Sequence, residues 1–96
     1  MPYSIEYSDD VEEYIISQSP DRQKVIFGHL LRMENSPFRN TEKLEPPLDR
    51  LYKARIGNDR VLFSVRGNGT IYLEYMGDRK DIYKKARRME TKSKKI

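Results

Sequence analysis

The sequence predicts an α+β fold, with an N-terminal strand and a helical hairpin packed on a mainly antiparallel sheet, followed by a short C-terminal helix. Two observations predict this fold. Apolar residues alternate with polar ones in four segments, and two helical stripes lie together between the first segment and the others. The predicted order is β-α-α-β-β-β-α. A chain of 96 residues supplies one hydrophobic core, so a single domain is expected over residues 1–96.

The first strand and the helical hairpin are predicted within residues 3–36. The strand is marked by alternating apolar side chains, those of Tyr3, Ile5 and Tyr7. Ser8 precedes an acidic segment and Ser19 precedes Pro20, so each serine is predicted to cap a helix. The longer helix has an apolar stripe made of Ile26, Leu30 and Met33, widened by Phe27 and Leu31. Two such helices in succession predict an antiparallel hairpin that packs on the sheet.

The second half of the chain is predicted to hold three strands and one helix. Residues 37–50 are polar and contain prolines, which indicates a connection and not an element. Strands are predicted over 51–56, 60–65 and 71–75, with turns at 57–59 and 67–69. The core-facing residues are predicted to be Tyr52, Ala54, Ile56, Val61, Phe63, Val65, Ile71, Leu73 and Tyr75. A last helix is predicted over residues 79–88, with Asp78 as its cap.

The composition argues against several classes of site. Cysteine is absent and histidine occurs once, so disulfides and zinc sites are not expected. His29 is interpreted as a surface or boundary residue, because the sequence places no acid or nucleophile beside it. No apolar run approaches the roughly 20 residues that cross a bilayer, and the N-terminus lacks a signal-peptide pattern. We therefore expect a cytoplasmic protein with no metal and no small-molecule cofactor.

Charge is distributed unevenly along the chain, whose formal net charge is +4. Residues 1–36 hold seven acidic against three basic residues, whereas residues 79–96 hold nine basic against two acidic. A basic C-terminal region indicates a polyanionic partner such as a nucleic acid. A solvated helix with a frayed tail gives the same pattern. The sequence leaves open whether residues 90–96 are ordered or form a disordered basic tail.

Basic side chains are predicted to gather on the outward face of the last three strands. Lys53 and Arg55 are two residues apart, so they project from the same side of one strand. Arg60 begins the next strand and is expected beside Arg55 across the turn. Arg79 and Tyr83 are four residues apart on the predicted last helix, one above the other. Four cations and a phenol suit phosphates and a nucleotide base, although exposed charges on a wet sheet face give the same pattern.

Two segments carry a resemblance to a known family. Residues 51–65 contain an aromatic-basic-x-basic strand, a glycine turn, an arginine and an apolar strand, and residues 77–83 contain Gly-x-Arg-x-x-x-Tyr. Together, in this order, they resemble the RelE/ParE toxin superfamily. The resemblance implies a RelE-like toxin of a type II toxin–antitoxin system. It implies a metal-independent endoribonuclease, an mRNA interferase that cleaves mRNA in the ribosomal A site and inhibits translation.

The resemblance also implies roles for the basic residues. Attack of a ribose 2′-OH on the adjacent phosphodiester needs a base, cations for the transition state and an acid for the 5′-oxygen. The implied catalytic residues are Lys53 and Arg55 as the basic strand pair, Arg60 on the phosphate, Arg79 near the leaving group and Tyr83 on the nucleotide. Some relatives have lysine where Arg55 stands. Because a guanidinium keeps its proton, the base is expected to be Lys53 or Tyr83, and Lys53 is the better candidate of the two. Further nucleic-acid contacts are expected from Lys80, Lys84, Arg87 and Arg88.

The partners that the resemblance implies are a RelB-like antitoxin, the ribosome and mRNA, with no membrane and no cofactor. The antitoxin is expected to wrap the helices and the sheet edge with helical segments. Two alternatives stay open: a ParE-like inhibitor that binds DNA gyrase, and an inactive RelE-fold protein that binds nucleic acid or a partner. DNA-damage signalling without mRNA loss favours the first alternative. Salt-sensitive RNA binding without cleavage favours the second.

Overall fold

The computed structural model describes residues 3–39 and 41–94. Its elements follow the chain in the order β1 (Ser4–Tyr7), α1 (Asp9–Ile16), α2 (Pro20–Asn35), β2 (Thr41–Lys43), β3 (Tyr52–Ile56), β4 (Asp59–Arg66), β5 (Thr70–Asp78) and α3 (Ile82–Lys94). The α+β fold is confirmed, with β2 as one additional strand. In the part of the chain described, no helix is long and apolar enough to cross a membrane.

Both predicted serine caps are confirmed. The Ser8 hydroxyl accepts the backbone N–H of Val11 at 3.2 Å, and the Ser19 hydroxyl accepts that of Arg22 at 3.3 Å. Pro20 lies in the first turn of α2, where a missing N–H breaks no helical hydrogen bond. Acidic residues in the first turn of α1 suit the positive end of that helix. The caps start both helices at fixed residues, so their apolar stripes face the sheet together.

A five-stranded mixed sheet has the strand order β1-β5-β4-β3-β2. β1 pairs with β5 in parallel, and the other neighbouring strands are antiparallel. The helices α1 and α2 cover one face, as predicted. The main core between them and the sheet contains Val11, Ile15, Ile26, Leu30, Met33, Ala54, Ile56, Val61, Phe63, Ile71, Leu73 and Met76. The opposite face is left for α3 and for the basic side chains.

That opposite face carries a second apolar cluster. Its buried members are Leu48, Leu51, Leu62, Tyr75, Ile82 and Ala86. Tyr75 is buried as predicted, but it does not share a face with Leu73. The pairing register shifts between Leu62 and Phe63, so Leu73 is opposite Phe63 while Tyr75 is opposite Leu62. Glu74 is the extra residue, and this bulge turns Tyr75 toward α3.

The strand β2 is absent from the sequence prediction, which treats residues 37–50 as a connection. β2 pairs antiparallel with the first residues of β3, from Thr41 opposite Ala54 to Lys43 opposite Tyr52. Two of its three residues are exposed. A short polar strand has no apolar alternation to reveal it, and its pairing depends on the edge that β3 offers. The described pairing extends over residues 52–54 of that edge.

The predicted start of the last helix is wrong. β5 continues to Asp78, so α3 begins at Ile82 and not near residue 79. Asp78 does not cap the helix. Its carboxylate accepts the backbone N–H of Lys80 at 2.8 Å and so closes a turn between β5 and α3. The strand is longer than predicted because its last residues still pair with β4.

The last helix also extends past its predicted end at Arg88, to Lys94. Glu90 is 5% exposed, although it lies in the stretch for which the sequence allows a disordered tail. Its carboxylate accepts hydrogen bonds from the Tyr75 hydroxyl at 2.8 Å and from Arg50 at 2.6 and 2.7 Å. These bonds attach α3 to the sheet. Residues 95–96 lie outside the described residues.

Candidate functional site

The β3–β4 hairpin sets the positions of three basic side chains. Lys53 and Arg55 lie on β3 and share its outward face, because side chains alternate along a strand. Arg55 is directly opposite Arg60 of β4, as expected across a short turn. Gly57 in that turn has a φ of 61°, a left-handed conformation that glycine adopts without strain. The hairpin therefore places two arginines side by side.

The turn after β5 adds two cations to the same end of the sheet. Arg60 is opposite Gly77, and Arg79 and Lys80 follow shortly after it. A cavity of about 500 Å³ is lined by Arg55, Gly57, Asn58, Arg60, Asp78, Arg79 and Lys80. We call Lys53, Arg55, Arg60, Arg79 and Lys80 the basic face. The prediction that Arg79 lies on the last helix with Tyr83 is wrong, because Arg79 precedes α3, yet Arg79 still lines this cavity.

Arg60 is the least exposed member of the basic face, with 9% of its surface accessible. Its guanidinium donates a hydrogen bond to the backbone carbonyl of Asp59 at 3.0 Å. Among the described residues, no carboxylate lies within ion-pair distance of it. A buried cation without an anionic partner is costly, and a bound anion would relieve that cost. Arg60 therefore has a backbone carbonyl and no described carboxylate as its partner.

The turn that carries Arg60 is attached to the helical hairpin through Asp59. The carboxylate of Asp59, which is 6% exposed, accepts a hydrogen bond from the Tyr14 hydroxyl at 2.8 Å and forms an ion pair with Arg22. Burial, and then the hydrogen bond to Asp59, raise the pKa of Tyr14 to about 12. These contacts fix the backbone of Asp59, whose carbonyl accepts from Arg60. The Asp59 carboxylate therefore bonds to the helical hairpin and not to the cations of the basic face.

Lys53 lies where the basic face approaches α3. Its ammonium forms an ion pair with Glu42 of β2 at 3.3 Å and lies 5.9 Å from the ring centroid of Tyr83, within cation–π range. Lys53, Tyr83 and Arg87 line one cavity of about 380 Å³, together with Glu42 and Glu45. Tyr83 is therefore joined to the basic face through Lys53 and not through Arg79.

The other predicted nucleic-acid contacts lie along α3. Lys84, Arg87 and Arg88 are all exposed. Arg87 lines the cavity beside Tyr83, whereas Lys84 and Arg88 line none of the cavities described here. The structure brings Lys53, Arg55, Arg60, Arg79 and Tyr83 into a connected strip of neighbouring cavities. It leaves Lys84 and Arg88 on the open surface of the helix.

Two residues that the sequence does not assign to the site also line it. His29 of α2 and Glu42 of β2 share a cavity of about 520 Å³ with Lys53, Arg55 and Arg60. Burial, and then the neighbouring Arg32, lower the pKa of His29, so its imidazole is uncharged at neutral pH. No sequence signal locates either residue, because each reaches the cavity only through the packing of its element against β3.

The described side chains of the site are mostly anion-binding groups. Within residues 3–39 and 41–94, no three His, Asp or Glu side chains are grouped so that they could hold a metal ion. The basic face presents guanidinium and ammonium groups, which bind phosphates through charge-assisted hydrogen bonds. The phenol of Tyr83 offers a flat surface for a nucleobase. This combination suits a single nucleic-acid strand.

Comparison with solved structures finds similar folds, whereas no protein-family model and no curated protein sequence matches the chain. A chain of the toxin–antitoxin complex RelBE2 from Mycobacterium tuberculosis is 17% identical with a TM-score of 0.75, over 82% of this chain and 100% of that chain. A chain of the RelE–RelB complex from Pyrococcus horikoshii OT3 is 25% identical with a TM-score of 0.70, over 82% and 97%. A mutant of E. coli RelE in the free state is 16% identical with a TM-score of 0.71, over 93% and 98%. These likenesses extend over nearly the whole of each solved chain.

Proposed function

We propose that this chain, whose fold is that of the RelE toxins, is the toxin of a toxin–antitoxin pair and cleaves mRNA in the ribosomal A site. One observation carries the proposal. Arg60 is buried beside Arg55, Arg79 and Lys80, and no described carboxylate pairs with its guanidinium. Such a cavity suits the phosphodiester of an RNA strand, because the negative charge of the phosphate would pair with these cations.

The proposed reaction is transfer of the phosphodiester to the neighbouring ribose. The 2′-oxygen forms a bond to phosphorus while the bond from phosphorus to the 5′-oxygen breaks, which leaves a 2′,3′-cyclic phosphate. The proton of the 2′-OH passes to a base, and the 5′-oxygen takes a proton as it departs. We propose that Arg55 and Arg60 hold the phosphate and that Arg79 stabilises the departing oxygen. Tyr83 stacks on the nucleotide.

Lys53 is the base that we propose for the 2′-OH, as the sequence analysis expects. Its ammonium shares a cavity with Arg55 and Arg60 and forms an ion pair with Glu42 at 3.3 Å. Substrate phosphates would draw the Lys53 ammonium toward the cavity and away from Glu42. The ring of Tyr83 supports either position of the ammonium. Lys80, Lys84, Arg87 and Arg88 are proposed to attract RNA outside the reacting nucleotides.

An antitoxin partner and a cytoplasmic location belong to the same proposal. Two of the similar solved structures are complexes between a RelE chain and a RelB chain. An acidic antitoxin segment near the basic face would neutralise the cations that hold the phosphate. Binding between this protein and the product of the neighbouring gene, measured with purified proteins, tests that partner.

A cell-free translation reaction with primer extension on the template mRNA tests the proposed activity. We expect breaks at codons in the A site that need both the protein and ribosomes, and that disappear with Arg60→Ala. Arg66→Ala is the matched control, because Arg66 is an exposed arginine on the same strand that lies 4.4 Å from the Tyr72 ring and outside the basic face. Intact mRNA and normal translation with the folded wild-type protein would contradict the proposal.

A further inference from the structure

A second basic cavity lies beside the proposed catalytic one, around the end of β3. Its volume is about 420 Å³, and Arg32, Ser36 and Arg39 line it together with His29 and Arg55. His29 and Arg55 also line the cavity that contains Lys53 and Arg60. The two cavities therefore adjoin at this pair. The second cavity therefore leads from the basic face to the C-terminal end of α2, and we call it the α2 groove.

The α2 groove lies at the edge of β3, beside its pairing with β2. β2 pairs with residues 52–54 of β3, and the Arg55 side chain is exposed. α2 ends at Asn35, and Ser36 closes its last turn by donating its backbone N–H to the carbonyl of Arg32. The chain then passes through Arg39 before it enters β2. Arg32 and Arg39 are both exposed along this path, so their guanidinium groups are accessible to a ligand.

The charges in the α2 groove are of one sign. Its lining includes three arginines and no Asp or Glu. None of the three, Arg32, Arg39 or Arg55, takes part in an ion pair within the part of the chain described. At the junction, His29 is uncharged at neutral pH and offers a ring and a hydrogen-bonding nitrogen. This is the composition of a path for a single nucleic-acid strand, with cations for phosphates and a ring for a base.

The opposite exit from the catalytic cavity differs. The cavity beside Tyr83 is lined by Glu42 and Glu45 as well as by basic residues. Glu42 also lines the cavity that contains Lys53 and Arg60, so a strand in either direction passes near it. A strand that left beside Tyr83 would pass Glu45 as well, whereas the α2 groove adds no carboxylate. Charge therefore favours one of the two directions for RNA that extends from the cleaved bond.

We propose that the α2 groove binds the sugar–phosphate backbone of the mRNA beyond the cleaved bond, with Arg32 and Arg39 each contacting a phosphate. The proposal rests on the proposed function, because it extends the same RNA strand from the same cavity. It assigns these two arginines to binding and not to the reaction. An acidic peptide segment is the competing occupant, and the experiment separates it from RNA.

Binding of RNA oligonucleotides of increasing length, followed by fluorescence anisotropy, tests the groove. The oligonucleotides carry 2′-fluoro groups, so no 2′-OH is present to react. We expect the double variant Arg32→Ala/Arg39→Ala to bind the longer oligonucleotides about tenfold more weakly than wild type, and the shortest equally well. The salt dependence should fall in slope by about 1.4, since each phosphate contact on a single strand contributes about 0.7.

Lys24→Ala/Arg66→Ala is the charge-matched control, because both residues are exposed and neither lines the groove. Its binding should change less than about twofold, since only the long-range field of the net charge is altered. Arg32→Lys/Arg39→Lys should recover most of the salt slope, because the charges are kept. Equal loss in the two alanine double variants would overturn the proposal, as would unchanged binding in the groove variant or no binding by wild type at any length.

Cleavage during cell-free translation separates the groove from the proposed function. If the groove variant selectively weakens oligonucleotide binding while wild type leaves mRNA intact, the groove stands and the proposed function fails. In a second outcome, wild type cleaves mRNA, and the groove variant cleaves it at the same protein concentrations and binds oligonucleotides equally well. The proposal for the groove then fails and the proposed function stands. Loss of binding to an acidic peptide without loss of RNA binding would assign the groove to the peptide.

Discussion

Two ends of the same sheet face hold arginines in opposite electrostatic surroundings. Alternate residues of β4 mark the face: Arg60 belongs to the basic face, Leu62 to the apolar cluster under α3, and Ser64 donates a hydrogen bond to Glu74 at 2.8 Å. Beyond Ser64, Arg50 donates to both Glu74 and Glu90 at 2.6 to 2.7 Å. We call Arg50, Glu74, Glu90, Tyr75 and Ser64 the anchor network.

In the anchor network the guanidinium of Arg50 is paired with carboxylates of the same chain. Hydrogen bonds to Glu74 and then Glu90 raise the pKa of Arg50, and burial followed by the hydrogen bond to Glu90 raises that of Tyr75. At the other end, Arg60 has a backbone carbonyl as its partner and no described carboxylate. The difference indicates that the paired Arg50 stabilises the fold, whereas Arg60, which lacks a described carboxylate partner, is available to a ligand.

The largest effect is expected from Arg60→Met, which keeps apolar volume and removes the charge. RNA cleavage should fall about 100- to 1,000-fold, as when one preorganised charge-stabilising group is lost from a catalytic site. The free energy of unfolding should stay the same or increase, because an unpaired buried cation is removed. Single-turnover cleavage and urea unfolding measure the two quantities. A loss of stability that matches the loss of activity would place Arg60 with the paired arginines.

The converse effect is expected from Arg50→Met in the anchor network. Removal of the cation breaks its ion pairs with Glu74 and with the buried Glu90, so the free energy of unfolding should fall by about 2 kcal/mol. This figure is below the full range for buried pairs because the Arg50 side chain is 48% exposed. Urea unfolding gives the change. Cleavage per folded molecule should be retained, and a catalytic defect in folded Arg50→Met would break the contrast.

How far the sequence reveals these two ends depends on the range of the contacts. The pairing of Arg55 with Arg60 is predictable, since a short turn between alternating strands fixes the register. The serine caps are predictable for the same reason, because each acts within its own first turn. The anchor network is not predictable. It needs the bulge at Glu74 and brings Glu90 of α3 against Arg50, 40 positions earlier in the chain.

The same distinction holds at the edge of the basic face. His29 and Glu42 reach the cavity only because α2 and β2 pack beside β3, and β2 itself has no apolar pattern. Arg79 is correctly expected near Arg60, although for the wrong reason, since it lies in a turn and not on the last helix. Local chemistry thus locates the cations, while tertiary packing decides which of them obtain an anion.

Asp59 offers an intermediate test of the comparison, because it supports Arg60 with its carbonyl and the scaffold with its carboxylate. Tyr14→Phe removes one hydrogen bond to that carboxylate and should lower the free energy of unfolding by about 1 kcal/mol. The pKa of Tyr14 is raised from 10.0 to about 12, so the folded state retains its proton more firmly than the unfolded state does. The stability from this group is complete below pH 10 and is lost as the pH rises toward 12.

Chemical unfolding at a series of alkaline pH values measures that dependence. The difference in stability between wild type and Tyr14→Phe should shrink as the pH rises from 10 to 12. Ser17→Ala is the control and should show no such convergence, because the Ser17 hydroxyl donates to the backbone carbonyl of Tyr14 and bonds neither the Tyr14 phenol nor Asp59. A constant difference across this range would show that Tyr14 does not depend on its proton for stability.

The smallest effect is expected from Lys84→Ala/Arg88→Ala, which removes cations that belong to neither end. Both side chains are exposed and line none of the described cavities, so stability should change by less than about 0.5 kcal/mol. Attraction to RNA should weaken about two- to threefold, equally for every sequence and length, because no defined contact is lost. Cleavage at saturating protein should match wild type. The oligonucleotides used for the α2 groove also test this prediction. A loss of binding that depends on their length would instead show that α3 contacts the RNA at defined positions, and the RNA-binding surface would then extend along that helix.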